Sequence, residues 1–133
     1  EKPGYAELGM DVRAYIYDMP TVMAAADLVL CRAGASTLAE LTAMGKPAVL
    51  VPSPNVTNNH QEKNARVLEA AGGAKVLLES EFTADSLLGL VSELLHHPGQ
   101  LEDMSGKMRS LGVPDATGRI AGMILGLAEK HAK

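Results

Sequence analysis

Short apolar runs alternate along the chain with longer stretches in which apolar positions recur at helical spacing. The runs at 12–16, 27–31, 48–51 and 74–78 are strand-length and rich in β-branched or large aliphatic residues, as in Ala48-Val49-Leu50-Val51. They predict four strands. Between them the spacing predicts helices over about 19–26, 36–45 and 59–72, the second closing on Gly45-Lys46-Pro47 and the third on Gly72-Gly73, both helix-stop chemistry. Strand, helix and strand in alternation imply parallel crossovers. The run from Asp27 to Cys31 is apolar almost throughout and does not alternate, as expected of a parallel sheet covered by helices on both faces.

After Glu79 the pattern turns wholly helical. Thr83 is placed to cap a helix whose Leu87, Leu88, Val91, Leu94 and Leu95 fall on one face. Another helix is expected after His97-Pro98-Gly99, and a last one from Pro114-Asp115 to about Lys130, with Pro in the first turn and Asp at the positive end of the helix dipole. There is no repeat, low-complexity tract or linker. The expectation is one α/β domain over 1–133, a Rossmann-like parallel sheet flanked by helices. Open sheets of this class bind ligands beyond the carboxyl ends of their strands, which points to the segments just after Ile16, Cys31, Val51 and Leu78.

Composition narrows the picture. With 133 residues and 47% hydrophobic content the chain can bury a core unaided, and with no Trp and one Phe that core must be aliphatic. A formal net charge of -4, without any run of Lys and Arg, gives no basic footprint for nucleic acid, so none is expected as a partner. Cys31 is the only cysteine and permits no internal disulfide, and no apolar stretch is long enough to span a bilayer. A cytoplasmic setting is therefore expected, and Asn55-Val56-Thr57 is read as a polar loop rather than a glycosylation acceptor. The chain opens at Glu1 and reaches a strand-like segment within about ten residues, and is read as part of a longer protein.

Two segments carry candidate chemistry. The first, Arg32-Ala33-Gly34-Ala35-Ser36-Thr37-Leu38-Ala39-Glu40, comes after the second expected strand as a small-residue turn entering a helix. Gly34 permits close backbone approach, and the free N–H groups near Ser36 and Thr37 form an anion site suited to a diphosphate, with Glu40 one turn on and able to reach ribose hydroxyls. On these residues alone a plain strand-helix turn with a Ser36 or Thr37 cap and a solvated Glu40 is the favoured reading, because the motif lacks a full glycine fingerprint. The second, Pro52-Ser53-Pro54-Asn55-Val56-Thr57-Asn58-Asn59-His60-Gln61-Glu62-Lys63-Asn64-Ala65, brings His60, Gln61 and Asn64 to one side of a helix start, where uncharged donors and acceptors suit sugar hydroxyls. An Asn-rich cap with exposed amides is the competing reading. No Asp or Cys lies at triad or metal spacing around His60, so neither a triad nor a metal site is expected. Ile16 and Met19, near the end of the first expected strand, offer an apolar edge for a planar base, though a Met at a helix start is also ordinary core filler.

Taken together, Tyr15-Ile16-Tyr17-Asp18-Met19, the turn from Ala26 through Glu40, Gly45-Lys46-Pro47 with Val51-Pro52, His60-Gln61-Glu62-Lys63-Asn64-Ala65 and Pro114-Asp115-Ala116-Thr117 resemble the MurG family across nearly the whole chain. These are the UDP-N-acetylglucosamine transferases that add the second sugar of lipid II in peptidoglycan synthesis. The resemblance implies the C-terminal, donor-binding half of a GT-B architecture. It implies that Ile16 meets uracil through its backbone, Met19 caps the nucleoside and Glu40 holds the ribose. It gives Gly34, Ser36 and Thr37 to the diphosphate, and His60, Gln61 and Asn64 to the N-acetylglucosamine hydroxyls, although His60 stands where some relatives carry another polar residue. By the same resemblance the catalytic histidine, the acceptor site and the membrane-facing surface belong to an N-terminal domain outside this sequence. No cofactor is implied, and a peripheral place on the cytoplasmic face of the membrane is. A stand-alone UDP-sugar-binding subunit that needs a membrane partner, a lipid glucosyltransferase and a UDP-sugar 2-epimerase share the nucleotide contacts and stay open at this point.

Overall fold

A computed structural model describes residues 4–55, 59–112 and 116–131. Three strands, β1 (Val29–Cys31), β2 (Ala48–Leu50) and β3 (Ala74–Val76), form one sheet in the order β1-β2-β3. Both pairings are parallel, with Val29 beside Ala48 and Ala48 beside Ala74. Six helices accompany them: α1 (Met19–Ala25), α2 (Ala35–Met44), α3 (His60–Ala70), α4 (Ala84–Leu95), α5 (Pro98–Leu111) and α6 (Ala116–His131). The expected class is thus observed, a parallel sheet with helices as its crossovers.

β2 explains the layering. It is fully buried, and its side chains alternate between two cores. Ala48 and Leu50 join Leu38 and Leu41 of α2, Ala65 and Leu68 of α3 and Met108 of α5, whereas Val49 joins Val51, Leu77, Leu94 and Met104 on the other face. A continuous aliphatic run is what this double burial requires. α2 stops at Gly45 (φ 66°), where the amide of Gly45 returns to Thr42 and that of Lys46 to Leu41. The left-handed turn then sends the chain into β2.

Three expectations need correction. Residues 12–16 form no strand: they have β-prone composition but pair with none of the three strands, and Val12 and Tyr15 remain 66% and 68% exposed. β-branched and aromatic content gives a preference for a pleated, half-buried surface, and without a partner ladder the preference has nothing to act on. The second correction is to α4, where Leu94 is buried and Leu87, Leu90 and Val91 are half-buried, while Leu88 and Leu95 are exposed. The seam is narrower than the sequence pattern allowed because α4 touches the core with one stripe. The third is a matter of bounds, since every observed strand is shorter than its apolar run. The expected start of the last helix at Pro114-Asp115 lies outside the described residues, as do Val56 and Thr57.

Thr83 caps α4 as expected, and reciprocally. Its Oγ1 accepts from the Ser86 amide at 3.0 Å while Ser86 Oγ accepts from the Thr83 amide at 2.9 Å. Thr83→Ala should lower the folding free energy by about 1 kcal/mol, and Thr83→Ser by much less. Urea midpoints of the two variants check this; equal midpoints would mean that the hydroxyl is not the source of the stabilisation. On α6, Ile120, Met123, Ile124, Leu125 and Leu127 are all exposed. No helix among the described residues is long and apolar enough to cross a membrane.

Candidate functional site

The strand ladder runs out at the carboxyl edge, and beyond it side chains take over from the ladder in holding the chain. The last backbone bonds are the Val51 amide to Cys31 and the Leu77 amide to Leu50, both at 2.9 Å. Just beyond, Gln61 Oε1 accepts from the Ser53 amide at 2.9 Å and from the Ala33 amide at 3.2 Å. One α3 side chain therefore ties the exit of β1 to the exit of β2. The carbonyl oxygen of Gln61 is spent on backbone, leaving its Nε2 as the group free to address a ligand.

Ahead of that bridge lies the entry to α2. Gly34 is the N-cap, in extended geometry (φ -67°, ψ 146°), and Leu38 makes the first return bond to its carbonyl at 3.0 Å. No side chain caps the helix, so the idea that Ser36 or Thr37 serves as a cap does not hold. Among the described residues the backbone N–H groups of Ala35, Ser36 and Thr37 have no acceptor, and they open the positive end of a ten-residue helix. A methyl group built on Gly34 would meet only Gln61 Nε2, at 4.0 Å, so neither φ nor packing within the chain demands glycine there. The space beside the turn is open. Ser36 and Glu40 are exposed and Thr37 is half-buried, and Glu40 makes no hydrogen bond or ion pair among the described residues.

α3 starts from Asn59, whose left-handed backbone (φ 56°) is tolerable for Asn, and whose Nδ2 donates to Glu62 Oε2 at 2.7 Å. His60 is exposed, whereas Gln61 and Asn64 are half-buried. The structure thus brings Gln61 to the turn of Gly34, Ser36 and Thr37 at one edge of the sheet, and gives Asn64, one turn further along α3, no hydrogen bond with that turn among the described residues. Ile16 is half-buried and Met19, at the start of α1, is 41% exposed, but neither shares a hydrogen bond with α2 or α3 among the described residues. Tyr15 and Tyr17 meet edge to face, centroids 4.8 Å apart.

Two cavities lie at this edge. One, about 340 Å3, is lined by Leu30, Cys31, Arg32, Val51, Glu79 and Phe82, and the other, about 320 Å3, by Pro52, Pro54, Asn59, Glu62, Leu78, Glu79 and Ser80. Neither is lined by any of the candidate site residues, Gly34, Ser36, Thr37, Glu40, Gln61 and Asn64 included. A further cavity of about 400 Å3, beside Asp27, Lys46 and Arg109, sits at the amino ends of the strands and holds none of the candidate residues. Burial pushes the Cys31 thiol up from its ordinary range, which keeps it protonated and unsuited to act as a nucleophile. Among the described residues no group of His, Cys, Asp and Glu is arranged to hold a metal.

Arg32 and Glu79, to which no sequence pattern assigned a role, are the unexpected members of this edge. Arg32 Nη1 donates to Glu79 Oε2 at 2.8 Å and lies 3.4 and 3.5 Å from the carbonyl oxygens of Val51 and Pro52. No sequence spacing points to a pair 47 positions apart. Only the common edge on which three parallel strands end could have suggested it.

A family model described as the glycosyltransferase family 28 C-terminal domain matches residues 1–120. The chain is 47% identical over 119 residues to a Bacillus cytotoxicus protein named UDP-N-acetylglucosamine--N-acetylmuramyl-(pentapeptide) pyrophosphoryl-undecaprenol N-acetylglucosamine transferase, covering 90% of this chain and 33% of that protein. It is 46% identical over 123 residues to the Acetivibrio thermocellus protein of the same name, covering 92% and 33%. Among solved structures, Acinetobacter baumannii MurG superposes with a TM-score of 0.80 at 35% identity, over 87% of this chain and 35% of that one. The spinosyn forosaminyltransferase SpnP superposes with a TM-score of 0.58 at 17% identity, over 80% and 28%, a likeness of fold alone. The chain therefore spans about a third of the length of its curated relatives, and its sheet is the Rossmann-like C-terminal half of a GT-B glycosyltransferase.

Proposed function

The chain belongs to the family of glycosyltransferase family 28 C-terminal domains, and on that premise we propose that it is the UDP-N-acetylglucosamine-binding domain of an inverting transferase that makes lipid II. In that reaction N-acetylglucosamine passes from UDP to the 4-hydroxyl of a lipid-linked muramoyl-pentapeptide. The hydroxyl attacks C1 of the sugar, and UDP departs from the opposite face.

One observation carries the reading: three N–H groups of Ala35, Ser36 and Thr37 without acceptors, beside an open Gly34 and within reach of the Gln61 amide. Pre-aimed donors at a positive helix end suit a diphosphate, and they suit it more as negative charge builds on the departing UDP. Glu40 would accept from the ribose hydroxyls, Ile16 and Met19 would meet the uracil and nucleoside, and Gln61 Nε2, Asn64 and His60 would face the sugar. The relatives of the same name, which are about three times as long, support the remainder. The acceptor site, the base that takes the hydroxyl proton and contact with the cytoplasmic face of the membrane would lie in the part of such a protein outside this domain.

Glu40→Ala is the direct test. A carboxylate that accepts from two vicinal hydroxyls makes charge-assisted bonds worth on the order of 1.5–3 kcal/mol, so the donor KM of the whole transferase should rise about tenfold or more. If the contact is equal in ground and transition states, kcat should change much less. Steady-state kinetics with UDP-N-acetylglucosamine decide it, since a solvated Glu40 predicts no change in either constant.

A further inference from the structure

Arg32 leaves β1, and Glu79 opens the short turn Glu79–Glu81 after β3, so the pair sits on the exits of the two outer strands of the sheet. Between them the central strand exits through Val51 and Pro52, both buried. Buried carbonyls past the end of a ladder need donors from elsewhere. Arg32 Nη1 faces both of them while donating to Glu79, so one guanidinium bridges all three strand ends.

The opposite side of the same segment is held by Gln61. Arg32 lies by the cavity that Leu30 and Val51 line, over the face of the second core, whereas Gln61 comes from α3, which packs on the face of Leu50. Residues 51–53 are therefore gripped from both faces. Arg32 faces the carbonyls of Val51 and Pro52, and Gln61 takes the Ser53 amide together with that of Ala33, the residue next to Arg32.

We propose that Arg32, aimed by Glu79, is a positioning residue for the donor site: it fixes the 51–53 exit so that Gln61 Oε1 meets both amides and Nε2 is left facing the Gly34 turn. This rests on the donor-binding function proposed above. Both side chains are about half exposed, 53% and 46%, so the pair contributes little to global stability and its effect is local.

The test is amide hydrogen exchange by NMR in the 133-residue chain, wild type against Arg32→Ala and Glu79→Gln, with a UDP titration of each. Exchange at Ala33 and Ser53 should speed up about five- to tenfold in Arg32→Ala and less in Glu79→Gln, while Val49 and Leu50 keep their protection. UDP affinity should fall by a similar factor wherever those two amides loosen. Unchanged protection at Ala33 and Ser53 in Arg32→Ala overturns the proposal, as does loosening that extends equally to Val49, because that would be a global loss of structure. Loosened amides with UDP affinity equal to wild type overturn it too. No saturable UDP shifts in the wild-type chain would instead count against donor binding itself, with the exchange data still deciding whether Arg32 holds the exit.

Discussion

Leu50→Ala should destabilise the chain by about 2–5 kcal/mol, among the largest effects expected of a single truncation in it. Leu50 is fully buried at the carboxyl end of the central strand and projects into the core shared by α2, α3 and α5. Removing its isobutyl group leaves a cavity that two flanking strands and three helices cannot close without moving together. Small domains hold only about 5–15 kcal/mol in total, so a visible share of the variant should be unfolded at moderate urea. The control is Leu88→Ala, on the solvent side of α4 at 69% exposure, which should shift stability by no more than about 0.5 kcal/mol. Urea midpoints of both variants settle the matter; a Leu50→Ala loss under about 1 kcal/mol would show that the sheet is not packed as described.

The second large effect is expected at Gln61, where one substitution strikes fold and site together. Gln61→Leu leaves the Ala33 and Ser53 amides without their acceptor. Each stranded donor costs about 1–3 kcal/mol, toward the lower end here because both bonds are only partly buried and water can enter. Gln61→Glu separates the two roles: its carboxylate still accepts both amides but cannot donate as Nε2 does. Stability should therefore drop in Gln61→Leu and hold near wild type in Gln61→Glu, while UDP-N-acetylglucosamine affinity should fall in both, by about tenfold for the loss of a donor to the ligand. Full donor affinity in Gln61→Glu would show that Nε2 touches no ligand, and undiminished stability in Gln61→Leu would remove the bridge.

How much of this was legible in the sequence depended on whether a feature is local. β2 was readable because a parallel strand buried on both faces must be aliphatic at every position, and β1 and β3, with Leu30 exposed and Lys75 half-buried, were readable as short apolar runs between helical patterns. The Thr83 cap was readable because a capping box closes within four residues. The run at 12–16 misled for the converse reason, since its composition records a preference and the missing ladder is a matter of neighbours. Leu88 and Leu95 misled because helical spacing gives an apolar side of the helix and not the width of the stripe that a neighbour covers. At the site, Gln61 meets the turn that carries Gly34, Ser36 and Thr37, as the order of strand ends suggests. The sequence could not show that the Gln61 oxygen is committed to two backbone amides, nor that Arg32 finds Glu79 across three strands.

The parallel register also bears on how the molecule comes into being. Val29 meets Ala48, and Ala48 meets Ala74, only after a whole helix has been laid down between each pair. No hairpin can serve as a seed, because parallel neighbours cannot be joined by a tight turn. Each pairing must first meet the entropy of closing a long loop, so the sheet should assemble late and slowly compared with a helical bundle of the same size. The edge that carries Gly34, Ser53 and Gln61 exists only where three strand ends lie side by side. Its birth is therefore tied to the rate-limiting step of folding, and a nascent chain still short of Ala74 has only part of a binding edge to offer.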